Sequence, residues 1–264
     1  MVREWSVPAL AIGKVTFREI TQDKVLYNAV VCAVLLLGLS FMAGEFAVIV
    51  RERVMIDLRL SALTLSCAMI AIFVGASVLP KEFDRRTALV ALSRPISRHQ
   101  FVCGKFVGLV GVIAVNWAFL ASVLFVILTF TSDSPMGVLV SGSLLMGVCF
   151  ALLQAILLAA LALSFSSFTT TSLSVIFTLG LFMAGHNISQ MRWLSSRLDP
   201  GSLKILLDGA ALALPNLEYF DLGTKVSYGL PVTWQFGLTA LVYGVTYSAV
   251  LILIAGQLVR VREG

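Results

Sequence analysis

An all-α bundle of six transmembrane helices is the fold this sequence predicts, and three observations predict it. Of the 264 residues, 59% are hydrophobic and only 12% are charged, whereas a soluble domain carries about 25% charged and 45–50% apolar residues. Mean hydropathy is +0.97, so the chain has too little polar surface to cover itself in water. The apolar residues also gather into runs of about 20, the length that crosses a hydrocarbon layer about 30 Å thick.

Residues 1–24 precede the first run. Pro8 follows Ser6 as a helix start, and Leu10, Gly13, Phe17 and Ile20 recur at helical spacing opposite a stripe of Lys14, Arg18 and Gln22. Two readings fit, an amphipathic helix lying in the membrane interface and a solvated helix leading into the first span. Trp5 and the apolar face favour the interface. No cleavable signal peptide is expected, because the first apolar run begins after a mixed-charge stretch and continues for a full span.

The spans are expected at 25–44, 60–79, 106–130, 136–163, 172–188 and 236–258. A polar stretch with Arg51, Glu52, Arg53, Asp57 and Arg59 separates the first two. The turn Thr131-Ser132-Asp133-Ser134-Pro135 closes the third. A Ser/Thr-rich link, 164–171, leads to the fifth. The long stretch 189–235 contains Leu203 to Leu214, apolar but too short to cross. It reads as a re-entrant or interfacial helix ended by Pro215 and Asn216.

Basic residues orient the bundle, since Lys and Arg gather on the cytoplasmic side. With the N-terminus inside, twelve Lys and Arg fall inside and seven outside, four of the seven in the one long outer stretch. Six crossings bring the C-terminus, with Arg260 and Arg262, back inside. The net charge of +5 reads as this asymmetry. No basic tract stands apart from a membrane flank, so no nucleic-acid partner is expected. Cys32, Cys67, Cys103 and Cys149 form no C-x-x-C pair and read as small core residues, not metal ligands.

The segment 81–105 is the most informative. Arg94-Pro95 breaks a helix, and Ser97 with Gln100 three residues on is a capping box that starts the next. Between the charges lies an apolar surface of Leu89, Leu92 and Ile96. A loop that only joined two spans would not need it, but a docking site would; a solvated charged loop is the competing reading. Inside the spans, Asn116 and Gln154 are polar, and polar groups there mark a transport path or serve as glue between helices.

The string Lys81-Glu82-Phe83-Asp84-Arg85-Arg86-Thr87, then Leu92-Ser93-Arg94-Pro95-Ile96-Ser97-Arg98, then Phe101 and Gly104-Lys105-Phe106, resembles the first cytoplasmic loop of ABC transporter permeases of the type-two exporter class. Thr16-Phe17-Arg18-Glu19, the Leu214-Pro215-Asn216 turn and the closing Arg260-Val261-Arg262 are similar to other parts of that layout. The resemblance implies a membrane subunit paired with a second copy or a related permease, with two copies of a separate ATPase beneath. Glu82, Arg85, Arg86, Arg94 and Arg98 would be the ATPase contacts, 81–105 the coupling loop and 189–235 the outer gate. A bacterial inner membrane is the expected location.

The chain carries no G-x-x-x-x-G-K-[ST] loop; Gly104-Lys105 is followed by Phe106. ATP and Mg are therefore expected in the partner, with no cofactor and no catalytic residue in this chain. A membrane enzyme is disfavoured, because there is no H-E-x-x-H and the two histidines, His99 and His186, fall on opposite faces. A stand-alone carrier or a structural subunit of a larger complex remains the alternative.

Overall fold

In hydrocarbon every backbone N–H and C=O must find its partner within the chain, which a helix achieves locally. The computed structural model describes residues 2–45, 51–84, 97–131, 142–199, 201–227 and 233–262, and among them there is no strand. The helices are α1 (Val2–Thr21), α2 (Lys24–Glu45), α3 (Arg51–Asp84), α4 (Arg98–Thr131), α5 (Gly142–Ser166), α6 (Thr171–Gly185), α7 (Ile188–Ser196), α8 (Ser202–Ala213), α9 (Gly223–Ser227) and α10 (Trp234–Arg262). A 3-10 turn, Leu217–Phe220, lies between α8 and α9.

Among the described residues four stretches are long and apolar enough to cross a membrane: Ile56–Glu82, Arg98–Thr129, Gly142–Ser166 and Trp234–Val259. Taken together, α6 and α7 make a fifth, bent by 59° at their junction. Within α2 the stretch Ala29–Leu39 is apolar. The polar residues expected to link the first two spans form instead the opening turns of α3. There Arg59 is buried, and the Asp57 carboxylate lies over Gly223 of α9. The expected turn at 132–135 lies outside the described residues.

The core is built on α3 and α5, which approach closely because their contact residues are small. A Cβ on Gly75 would lie 3.0 Å from Ala162 Cβ and 3.4 Å from the Ala159 carbonyl oxygen. Ala155, Ala159, Ala160 and Ala162 are fully buried. Without a hydrophobic drive between helices in lipid, such small-residue packing and interhelical hydrogen bonds hold the bundle. Ser164 donates to the Leu251 carbonyl of α10 at 3.1 Å, Ser174 to the Ala162 carbonyl at 2.9 Å, and the Trp117 indole of α4 to the Val148 carbonyl at 2.9 Å.

Helix α1 packs on the first turns of α4. The small residues Gly13 and Thr16 of α1 meet Gly104 and Gly108 of α4, a G-x-x-x-G pair that lets backbones come close. A Cβ on Gly108 would stand 2.6 Å from the Gly13 carbonyl oxygen and 2.7 Å from Thr16 Cβ. Of the apolar stripe read from the sequence, Gly13 and Ile20 are buried and Phe17 half-buried, while Lys14, Arg18 and Gln22 of the polar stripe are exposed; the Leu10 side chain lies outside the described residues.

The expected fifth span ends early. Helix α6 ends at Gly185, and the chain packs so closely there that only glycine fits: a Cβ would meet the Pro215 carbonyl oxygen at 2.6 Å and Leu217 at 2.9 Å. The freed groups are capped locally: His186 N–H donates to Phe182 O at 3.3 Å and Asn187 N–H to Ala184 O at 3.0 Å.

Gly108→Ala should therefore lower the thermal stability of the purified protein, overpacking costing about 1–3 kcal/mol. Gly180→Ala, where a Cβ would meet nothing within 4 Å, should leave stability unchanged or raise it. Thermal unfolding in detergent reads both.

Candidate functional site

Three elements converge at the end of the bundle that holds the C-terminal part of α10. Lys105 of α4 is 3% exposed and forms an ion pair with Glu82 of α3, itself 12% exposed. The same ammonium lies 3.4 Å from a carboxylate oxygen of Glu19 on α1 and 5.9 Å from the centre of the Phe101 ring. One residue before Glu82, Lys81 pairs with Asp23, just past the end of α1. Charges in a low-dielectric place are tolerated when paired and hydrogen-bonded, and here carboxylates of two other helices surround the buried ammonium.

The start of α4 is fixed by local chemistry. Ser97 N–H donates to Gln100 Oε1 at 3.0 Å and Gln100 N–H donates to Ser97 Oγ at 3.3 Å. This reciprocal pair is the capping box expected from sequence, and it satisfies donors that no helical carbonyl reaches. Two residues on, the His99 imidazole presses its Nδ1 edge against Gly256 of α10, where any Cβ would overlap it. The described residues that precede and follow 85–96 are both tied to the bundle: Glu82 is paired with Lys105, and the helix that begins at Arg98 is capped at Ser97 and meets α10 at His99.

Of the expected ATPase contacts, Glu82 points into the cluster and Arg98 opens α4. Arg85, Arg86 and Arg94, with the Leu89, Leu92 and Ile96 surface, lie outside the described residues. Sequence reasoning missed Lys105 as the hub, and Glu19, Asp23 and Lys81 as its surroundings. The Gly104-x-x-x-Gly108 spacing was a usable signal that α4 meets another backbone there.

The two polar residues proposed for a transport path take separate partners. Asn116 Nδ2 donates to the Val112 carbonyl of its own helix at 2.9 Å. Gln154, fully buried, has its amide nitrogen 3.2 Å from His186 Nε2. His186 Nδ1 lies 2.9 Å from the Phe182 carbonyl oxygen. A carbonyl only accepts, so Nδ1 carries the proton and Nε2 accepts from Gln154. Gln154 Oε1 has no hydrogen-bond partner among the described residues.

At the opposite end the expected gate region is pinned to the bundle. Tyr243 Oη of α10 accepts from Asn216 N–H at 2.9 Å, and Tyr247 donates to the Ala213 carbonyl at 3.3 Å. The Glu218 carboxylate accepts the N–H of Ser189 at 2.7 Å and its hydroxyl, capping the start of α7. Phe150, Tyr219, Phe220, Phe236 and Tyr243 pack ring to ring around this turn. Among the described residues no group of three His, Cys, Asp or Glu is placed to hold a metal ion.

An all-helical chain with several membrane-length apolar helices is an integral membrane protein. The model of the ABC-2 family transporter protein matches residues 11–191, and the chain belongs to that family. The match runs from α1 into α7 and includes the Lys105 cluster; the Leu214-Pro215-Asn216 turn and α10 lie beyond it. No match is found among curated proteins.

Lys105→Met should destabilise the protein, because it removes the cation that Glu82 and Glu19 share. The double variant Lys105→Met with Glu82→Leu should recover part of that loss. Denaturant titrations of the wild type, both single variants and the double variant measure the coupling, and additive losses would contradict the pairing.

Proposed function

We propose that the chain is the translocation subunit of an ATP-driven exporter, driven by a separate ATPase that docks on 81–105. The Lys105 cluster carries this reading. Force applied to the 85–96 segment meets α3 at Glu82 and α4 at Ser97, and through Lys105 and Glu19 it also meets α1. A docked partner would thus move three helices together. Arg85, Arg86, Arg94 and Arg98 lie on or beside that segment and supply charge for docking, while Glu82 holds its base. Membership of a transporter membrane family supports the pairing with an ATPase.

In this reading α2, α3, α4, α5, the α6–α7 pair and α10 are the six crossings, with both termini in the cytoplasm of a bacterial inner membrane. Two ATPase copies bind ATP and Mg beneath a pair of permeases. Asn116 and Gln154 lie on the cargo path, and 189–235 forms the exit gate.

Gentle extraction from native membranes followed by mass spectrometry tests the proposal. An ATP-binding subunit near equal stoichiometry is expected, and Arg94→Glu with Arg98→Glu should release it while the permease stays folded. A chain that purifies alone, with or without those substitutions, would overturn the coupling and favour a stand-alone carrier or a structural subunit.

A further inference from the structure

Gln154 is the middle residue of α5, twelve positions from either end of Gly142–Ser166. That is about 18 Å from each end, so in a hydrocarbon layer about 30 Å thick its amide lies near the midplane. His186 meets it there, at the break where α6 ends and α7 begins. The pair has two arrangements open to it. In the first, the neutral ring donates from Nδ1 to the Phe182 carbonyl, and Nε2 accepts from the Gln154 amide nitrogen at 3.2 Å. The carbonyl fixes this tautomer, because it cannot donate. In the second, Nε2 is protonated as well, and two donors would face each other. A half-turn of the Gln154 amide about its terminal torsion, a soft one, removes the conflict by bringing Oε1 to Nε2. Oε1 gives up no hydrogen bond in turning, because it is buried and bonds to nothing among the described residues. A neutral N–H···N bond is exchanged for an N–H···O bond donated by a cation, the stronger kind.

We propose that His186 and Gln154 form a proton-binding site inside the membrane: Nε2 takes up a proton from water, the ring becomes a cation, and the Gln154 amide turns to hold it. Ionisable side chains at such depth mark functional sites. His186 also caps the C-terminal end of α6, where the free carbonyls favour a cation. The ring is half-buried and the next residue, Asn187, is exposed, which leaves the proton a way in. Few other titratable groups lie on the elements packed against α6. Helix α6 itself carries no charge, and α5 carries none besides the exposed thiol of Cys149. Contacts of Leu60 with Gly147 and of Gly75 with Ala159 bracket Gln154, so α3 passes it between Leu60 and Gly75, where Cys67 is the one titratable residue. The charges of α3 lie beyond that stretch, Arg51 to Arg59 on one side and Lys81 to Asp84 on the other. The 3-10 turn brings Glu218 and Tyr219, but Glu218 is engaged by the N–H and hydroxyl of Ser189, and Tyr219 packs on Tyr243. Arg192 of α7 lies six positions past His186. The proton is therefore held by the amide and the helix end, with no carboxylate bonded to the ring. The inference rests on the membrane character of the chain, so a failure to find an ATPase partner would leave it standing.

The test is nitrogen-15 NMR of the full chain in lipid nanodiscs, labelled in its histidine rings and glutamine amides, from about pH 8 to about pH 5, the range in which histidine changes charge. The chain has two histidines; His99→Gln assigns the ring signals, and His186→Gln does so if that variant does not fold. At the upper end of the range His186 should be the Nδ1–H tautomer. As the pH falls, Nε2 should gain its proton, and the Gln154 amide signal should move in the same step. Gln154→Met keeps the length of the side chain and removes the acceptor. At the pH where half of the wild-type rings are charged, its ratio of charged to neutral rings should be about tenfold lower. A His186 ring that stays neutral to the lower end of the range would overturn the proposal. So would a Gln154 amide that does not respond while the ring titrates, which the unsubstituted chain alone can show, or an unchanged ratio in Gln154→Met.

Discussion

An ammonium group at the end of a helix bundle, out of reach of water, is stable only where carboxylates meet it, and Lys105 meets two from two different helices. Glu82 closes the end of α3 and Glu19 the end of α1. Shifting α3 against α4 separates charges in a low-dielectric setting, which costs far more than the same separation at a surface; the tie to α1 through Glu19, whose side chain is 40% exposed, is the weaker of the two. The close α1–α4 crossing at Gly13 and Gly108 depends on the same arrangement, because the ion pairs and the glycine contact fix the same two helices at neighbouring turns. Steric closeness sets the distance, and the ion pairs set the register.

The two ends of the bundle are held by different chemistry. At the Lys105 end the ties are ionic and link helices that flank a connecting segment. At the other end they are aromatic contacts and neutral or single-charge hydrogen bonds, from Tyr243, Tyr247 and Glu218 to a turn and a helix start. Between them α3 and α5 form a close-packed core of Ala and Gly contacts. Close packing of this kind transmits displacement, since it has no slack to absorb it. The proposed coupling would use that division: one end firmly joined to where a docked partner would pull, a stiff middle, and an end whose attachments are individually weaker.

What was legible in the sequence is what depends on neighbours along the chain. The capping box at Ser97 and Gln100 spans four residues and appears as read. So do the two stripes of α1 and the short apolar helix before Pro215. Apolar runs located the span-length helices, because lipid selects on composition alone. The Lys105 hub was not legible, since its partners lie 23 and 86 residues away and such a pairing leaves no period in the sequence. The break at Gly185 was half hidden for a related reason. Gly185 and Asn187 were local stop signals inside the apolar run 172–188, but the close approach to Gly185 of the Pro215 carbonyl, 30 positions on by residue number, leaves no pattern in the sequence.

The central claim is that Lys105 joins α1, α3 and α4 into one unit, and amide hydrogen exchange of the purified chain in lipid nanodiscs tests it most directly. The account predicts that Lys105→Met raises exchange across α1, residues 11–21, and at the end of α3, even though the glycine contact with α4 is untouched. A rise confined to the turns of α4 around residue 105, with α1 as protected as in the wild type, would contradict it.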